Sequence, residues 1–235
     1  MVLNRRFIAT AFGGILLFSG LQPANAAFLQ IITPNPAYTG STNLIPIPVV
    51  PTLNTTTVTT LSGSGQTLTF SSPDPGTLLF IQPPVPVGFA TYNFPPFVET
   101  HTPPIIQDQV STTCGICTLN IAFATPVKTF GVELEPDPLT NVHTITETFL
   151  NGATTVGTIS KSLNGNSSAM LFAGTTPDQQ FTSVSITIDG TDFALAQPRF
   201  STAAVIAAAV PEPGTTLLLT FGLIAIGYRK FKTVR

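Results

Sequence analysis

The chain has 235 residues, and only 9% of them are charged: nine Lys+Arg against eleven Asp+Glu, a formal net charge of −2. An average soluble domain carries about 25% charge, so a coiled coil, a nucleic-acid binder and an ordinary cytosolic enzyme are all disfavoured. Twenty-two prolines and 18 glycines argue against a helix-rich fold, and Trp is absent while Phe, at 18, supplies nearly all the aromatic bulk.

The small net charge hides an arrangement. Arg5 and Arg6 open the chain, and Arg229, Lys230, Lys232 and Arg235 close it. Between Ala27 and Val210 three basic residues face ten acidic ones, a formal −7. An acidic middle between two basic tips directs attention to the tips.

The N-terminus reads as an export signal. Arg5 and Arg6 precede an apolar stretch from Phe7 to Leu21, followed by Pro23 and Ala24-Asn25-Ala26. Small residues three and one before the cut, Ala24 and Ala26, place signal-peptidase cleavage between Ala26 and Ala27. The apolar run is shorter than the ~20 residues of a membrane span, which argues against an uncut anchor. The arginine pair raises the twin-arginine route, but the residues after it favour general secretion.

The pattern of the middle is β. Residues 27–60 hold prolines at 34, 36, 46, 48 and 51 and the Thr-rich run 54–60. They are read as an extended arm or edge strands, with a glycosylated stalk as the alternative. The β-sandwich proper is expected over 61–202. Gln66–Phe70 and Thr77–Ile81 flank the turn Pro73-Asp74-Pro75-Gly76, and residues 83–104 are Pro-rich and loop-like. Leu119, Ile121 and Phe123, then Phe130, Val132 and Leu134, then Val184, Ile186 and Ile188 alternate with polar or small residues, one apolar face per strand. Asn151-Gly152 between Thr144–Leu150 and Thr154–Ser160 is a strong hairpin signal. Asn164-Gly165 precedes a strand at Ala169–Ala173, and Asp189-Gly190 one at Phe193–Phe200. The fold class is therefore all-β, an antiparallel sandwich of jelly-roll type, flanked by a signal-peptide helix and a short C-terminal transmembrane helix.

At the C-terminus, Val210-Pro211-Glu212-Pro213-Gly214 precedes the apolar segment 215–228 and the basic tail from Arg229 to Arg235. The apolar run suits lipid and the positive cluster the cytoplasmic side. Fourteen residues are few for a span, so a plain tail anchor or a buried helix stays open. Motif, apolar segment and basic tip in this order resemble the PEP-CTERM sorting signal of exported bacterial proteins, with Pro211, Glu212 and Pro213 at its tripeptide. The resemblance implies processing by an exosortase and delivery through an inner-membrane intermediate to the cell surface or extracellular matrix. The stretch 121–200 also resembles the jelly-roll domain of PEP-CTERM surface proteins and, at a distance, carbohydrate-binding modules.

Candidate chemistry is sparse. Cys114-Gly-Ile-Cys117 lacks the βαβ context of a thioredoxin site and nearby histidines for zinc, so a local disulfide formed after export is favoured. Glu133, Glu135 and Asp137 end one strand, with Glu133 and Glu135 on one face. They read as a solvated acidic face. A calcium site built from these residues, or from Asp189 and Asp192, and a glycosidase pair are the alternatives. No catalytic residue or cofactor site is assigned. The expected partners are signal peptidase and the secretion machinery, an exosortase, the membrane through 215–228, and polysaccharide; nucleic acid is not among them. The function expected is a structural or adhesive surface protein, with a carbohydrate-binding module second and a hydrolase third.

Overall fold

Alternating Thr/Ser and Ile/Val/Leu/Phe favours strands that bury one side. Their order is β1 (Leu29–Ile31), α1 (Pro36–Ser41), β2 (Asn43–Leu44), β3 (Thr60–Gly63), β4 (Gln66–Ser71), β5 (Leu78–Gln82), β6 (Ile105–Gln109), β7 (Ile116–Val127), β8 (Thr129–Pro136), β9 (His143–Asn151), β10 (Thr154–Leu163), β11 (Met170–Thr175), β12 (Phe181–Asp189) and β13 (Phe193–Ser201). This computed structural model describes residues 27–50, 57–74, 76–82, 97–100, 103–109, 116–137, 141–165, 169–190 and 192–205.

The strands form two antiparallel sheets packed as a sandwich. Sheet A runs β1-β11-β8-β13-β6-β5, with β2 also paired to β13; sheet B runs β10-β9-β12-β7-β4-β3. The inward residues of both sheets, among them Leu68, Leu119, Ile121, Phe130, Leu134, Phe149, Val184, Ile186 and Phe193, make one continuous core. Each such side chain taken from water contributes about 1.5–3 kcal/mol.

Local signals close the hairpins. Ser64 and Gly65 both have positive φ, 53° and 79°, which turns β3 into β4 with the twist a hairpin prefers. Asn151-Gly152 joins β9 to β10, with Gly152 at φ 59°. The connections at Asp74–Gly76, Asn164-Gly165 and Asp189-Gly190 instead carry the chain from sheet B to sheet A, as corners of the sandwich.

The N-terminal region, read from sequence as an extended arm or edge strands, packs into the sandwich. β1 pairs with β11 and β2 with β13. Ile45 and Ile47 alternate with prolines and bury in the core. Asn35 caps α1, its side-chain oxygen accepting the Tyr38 amide at 3.0 Å, and Pro36 stands in the first turn, where no amide is missed. The sandwich also extends past residue 202, since Val205 is buried.

Both terminal segments expected as helices, 1–26 and 215–228, lie outside the described residues, as do Ala24, Ala26, Val210 to Pro213 and Arg229 to Arg235. Among the described residues no helix is long and apolar enough to cross a membrane.

Candidate functional site

The two sheets differ on their outer faces. On sheet B the outward positions are almost wholly Ser and Thr. Register places Thr158, Thr148, Ser185, Asn120 and Ser71 side by side on β10, β9, β12, β7 and β4. The next row is Ser160, Thr146, Thr187 and Thr118. Ala122 lies across from Thr69, which lies across from Thr60. Cross-strand hydroxyl bonds tie the rows: Thr146 to Ser160 at 3.0 Å, Thr144 to Ser162 at 3.2 Å, Ser62 to Thr67 at 2.8 Å. No charged side chain interrupts the first two rows; the exposed Asp189, across from exposed Ile116 and bonded to the Thr144 amide, stands at the edge of the face. Away from that edge the face is a neutral, hydroxyl-rich sheet, able to donate and accept hydrogen bonds.

The outer face of sheet A is covered by the protein itself. Tyr38 of α1 packs with Ile31, Leu171, Ala173 and Val205, while Val98 packs with Ile105, Ala169, Ala194 and Ala196. Small residues on the strands make room: a Cβ on Gly131 would collide with Ala173 and with the Tyr38 hydroxyl.

Under this cover lie the predicted carboxylates. Glu133 and Glu135 do share a face, but both are fully buried, so the expected solvated acidic face is not what forms. Glu133 accepts the Glu99 backbone amide at 2.5 Å, and burial raises its pKa to about 8. Arg199 Nε donates to both Glu99 oxygens, at 2.7 and 2.8 Å, and its Nη1 reaches the Thr39 and Thr42 carbonyls. Burial also raises Glu99, against the pull of Arg199. A hydrolytic pair must meet solvent and substrate; Glu133 meets neither, and its contacts hold the covering segment down.

The calcium candidates do not converge. Asp137 is half-buried; Asp189 is exposed, accepting the Thr144 amide at 2.9 Å and lying 3.1 Å from His143 Nδ1. The Asp137 amide donates to the Asp192 carbonyl at 2.9 Å. Among the described residues no three His, Cys, Asp or Glu side chains stand close enough to hold a metal ion. Cys117 faces the core and is disulfide-bonded; Cys114, the chain's other cysteine, lies outside the described residues.

Three further buried or half-buried ionisable groups escaped the sequence reading. Glu147 of β9 points into the core, both oxygens without a hydrogen-bond partner, and burial raises its pKa well above the carboxylate range. Lys161 on neighbouring β10 donates to the Leu171 carbonyl and sits 4.8 Å from the centre of the Phe172 ring; burial lowers it to about 8. Alternation was the available signal: Glu147 shares a face with Ile145 and Phe149, Lys161 with Ile159 and Leu163. Asp108 of β6, beside Ile106, is likewise buried and unpartnered, raised to about 7 by burial and by Asp192 and Asp74.

Residues 209–230 match the PEP-CTERM protein-sorting motif. No curated protein matches the chain significantly. Among solved structures, a variant of the family 29 carbohydrate-binding module CBM29-2 is similar at 7% identity and TM-score 0.35, over 72% of this chain and 98% of that one. The CBM22-1–GH10 modules of Clostridium thermocellum xylanase 10B, complexed with xylohexaose, are similar at 7% identity and TM-score 0.34, over 56% of this chain and 26% of that one. The module TmCBM61 in complex with β-1,4-galactotriose is similar at 8% identity and TM-score 0.33, over 57% of this chain and 86% of that one. No functional conclusion follows from likeness at this level. The motif does carry one: it marks the chain for export and for sorting to the cell surface or the extracellular space.

Proposed function

We propose that this is an exosortase-processed surface or matrix protein with a structural, adhesive role, exercised through the outer face of sheet B. One observation carries the reading beyond the sorting signal: a hydroxyl-rich face, uncharged over its central rows, on a domain that is otherwise acidic. Such a face has no charge to offer an acidic polymer or a charged protein patch. It matches a neutral, hydroxyl-rich polymer, with which many weak hydrogen bonds and bridging waters add up along repeated units.

The test uses the producing cells. Thr146→Glu with Ser185→Glu places two charges on the face without touching the core. The variant is expected to leave the matrix fraction for the medium, while the unaltered protein stays. Equal retention of both forms overturns the adhesive role of this face. A glycan array separates the runner-up: selective binding of one glycan makes the domain a dedicated carbohydrate-binding module, and weak binding across neutral glycans favours adhesion.

The sorting half has its own test. Neutralising Arg229, Lys230, Lys232 and Arg235 removes the basic tip that orients the apolar segment. Surface display should fall; unchanged display counts against exosortase processing at this end.

A further inference from the structure

Residues 203–205 are stitched to the outer face of sheet A. Thr129 of β8 and Thr175 of β11 stand directly opposite, their hydroxyls 2.7 Å apart. The Val205 amide donates to both hydroxyls, at 3.2 and 3.1 Å, and the Thr129 hydroxyl also donates to the Ala203 carbonyl at 3.1 Å. The Val205 side chain is buried beside Tyr38, Leu171 and Ala173. The Thr129 and Thr175 hydroxyls and their bonds to the Val205 amide are buried, so this segment is fixed to the body of the sandwich.

The matched sorting motif begins at residue 209. Only residues 206–208 separate it from Val205, a reach of about 10–14 Å even when extended. The hydroxyl face lies on the opposite side of the sandwich, beyond two sheets about 10 Å apart and their outer side chains. From these positions we infer that the domain is held by the sheet A side and presents the hydroxyl face of sheet B outward. The inference rests on the proposed attachment at the C-terminal signal. It adds an orientation: the covered face, with α1 and the 97–99 segment, is turned toward the point of attachment, and the free face toward whatever surrounds the cell.

Single cysteines on intact cells test this. Ala122 is exposed at the centre of the sheet B face, and Thr202 is exposed next to the exit. With a bulky maleimide-polyethylene glycol, the Ala122→Cys protein should react on cells about as fast as after solubilisation. The Thr202→Cys protein should react several-fold more slowly on cells and recover on solubilisation. Equal slowing of both, or slowing of Ala122→Cys alone, overturns the orientation while leaving surface display intact. No labelling of either on cells, with labelling of both after lysis, overturns surface display and the orientation with it.

Discussion

Arg199 and Glu99 stand 100 residues apart in the chain and form a two-point ion pair on the outer face of sheet A, with Arg199 Nε 2.7 and 2.8 Å from the two carboxylate oxygens. Both side chains are largely buried, at 15% and 9% exposure. The pair is what fastens residues 97–99 over Glu133. Removing Arg199 alone strands a buried carboxylate, so Arg199→Met should cost about 3–5 kcal/mol in urea unfolding. Arg199→Met with Glu99→Leu should recover most of that loss, because the orphaned charge is gone. A single replacement as mild as the double one would mean that the pair is open to solvent.

Phe28 is the second residue after the expected leader cleavage. Its ring packs on Phe149 and Phe181, with centroids 5.0 and 6.2 Å away, above two glycines, Gly157 and Gly174. A Cβ at either glycine would collide with the ring. Phe28→Ala should therefore cost about 2–4 kcal/mol, somewhat below a fully buried Phe. Gly174→Val should cost as much in the presence of Phe28 and clearly less on the Phe28→Ala background. Additive losses in that double-mutant cycle would show that the ring does not occupy this socket.

Cys117 contributes its side chain to the core and takes part in a disulfide. Pairing with Cys114 would close a loop of only a few residues, so its stabilisation should lie at the low end, about 1–2 kcal/mol. Reduction of the exported protein should raise its mass by two hydrogens and lower its melting temperature by a few degrees. Two free thiols before reduction would refute the pairing.

Strand positions were legible because a two-residue period and Asn-Gly chemistry are local. Leu119, Ile121 and Phe123 announce β7 without help from the rest of the chain. What covers a face is not local. Alternation assigns Glu133 and Glu135 to one side of β8, but that face is covered by Tyr38 and residues 97–99, from segments with no periodic signal. Turn chemistry is likewise blind to destination: Asn151-Gly152 makes a hairpin, while Asn164-Gly165 and Asp189-Gly190 turn corners between sheets. The hydroxyl face was present as Thr-x-Thr and Ser-x-Ser spacing. It became a surface only once register aligned five strands.

The buried acids make stability fall as pH rises from acid to neutral. Asp108 titrates at about 7 in the folded protein instead of the ordinary 3.8, and Glu133 at about 8 instead of 4.5. A raised carboxyl pKa means that the folded state holds its proton more tightly than the unfolded chain. Below about pH 4 both states are protonated and the burial carries no charge penalty. Between there and pH 7–8 the unfolded chain ionises freely while the fold resists, so stability is lost across that window. Lys161 acts in the opposite sense: its folded pKa of about 8 lies below 10.5, so its penalty is full below pH 8 and lifts above it. The protein should therefore be most stable near pH 4–5 and least stable near pH 8. Asp108→Asn keeps the shape and removes the ionisation; it should add a few kcal/mol at pH 8 and almost nothing at pH 4. Urea unfolding of both proteins at the two pH values reads this directly. Parallel curves, with the same difference at both, would show that Asp108 is solvated in the folded state.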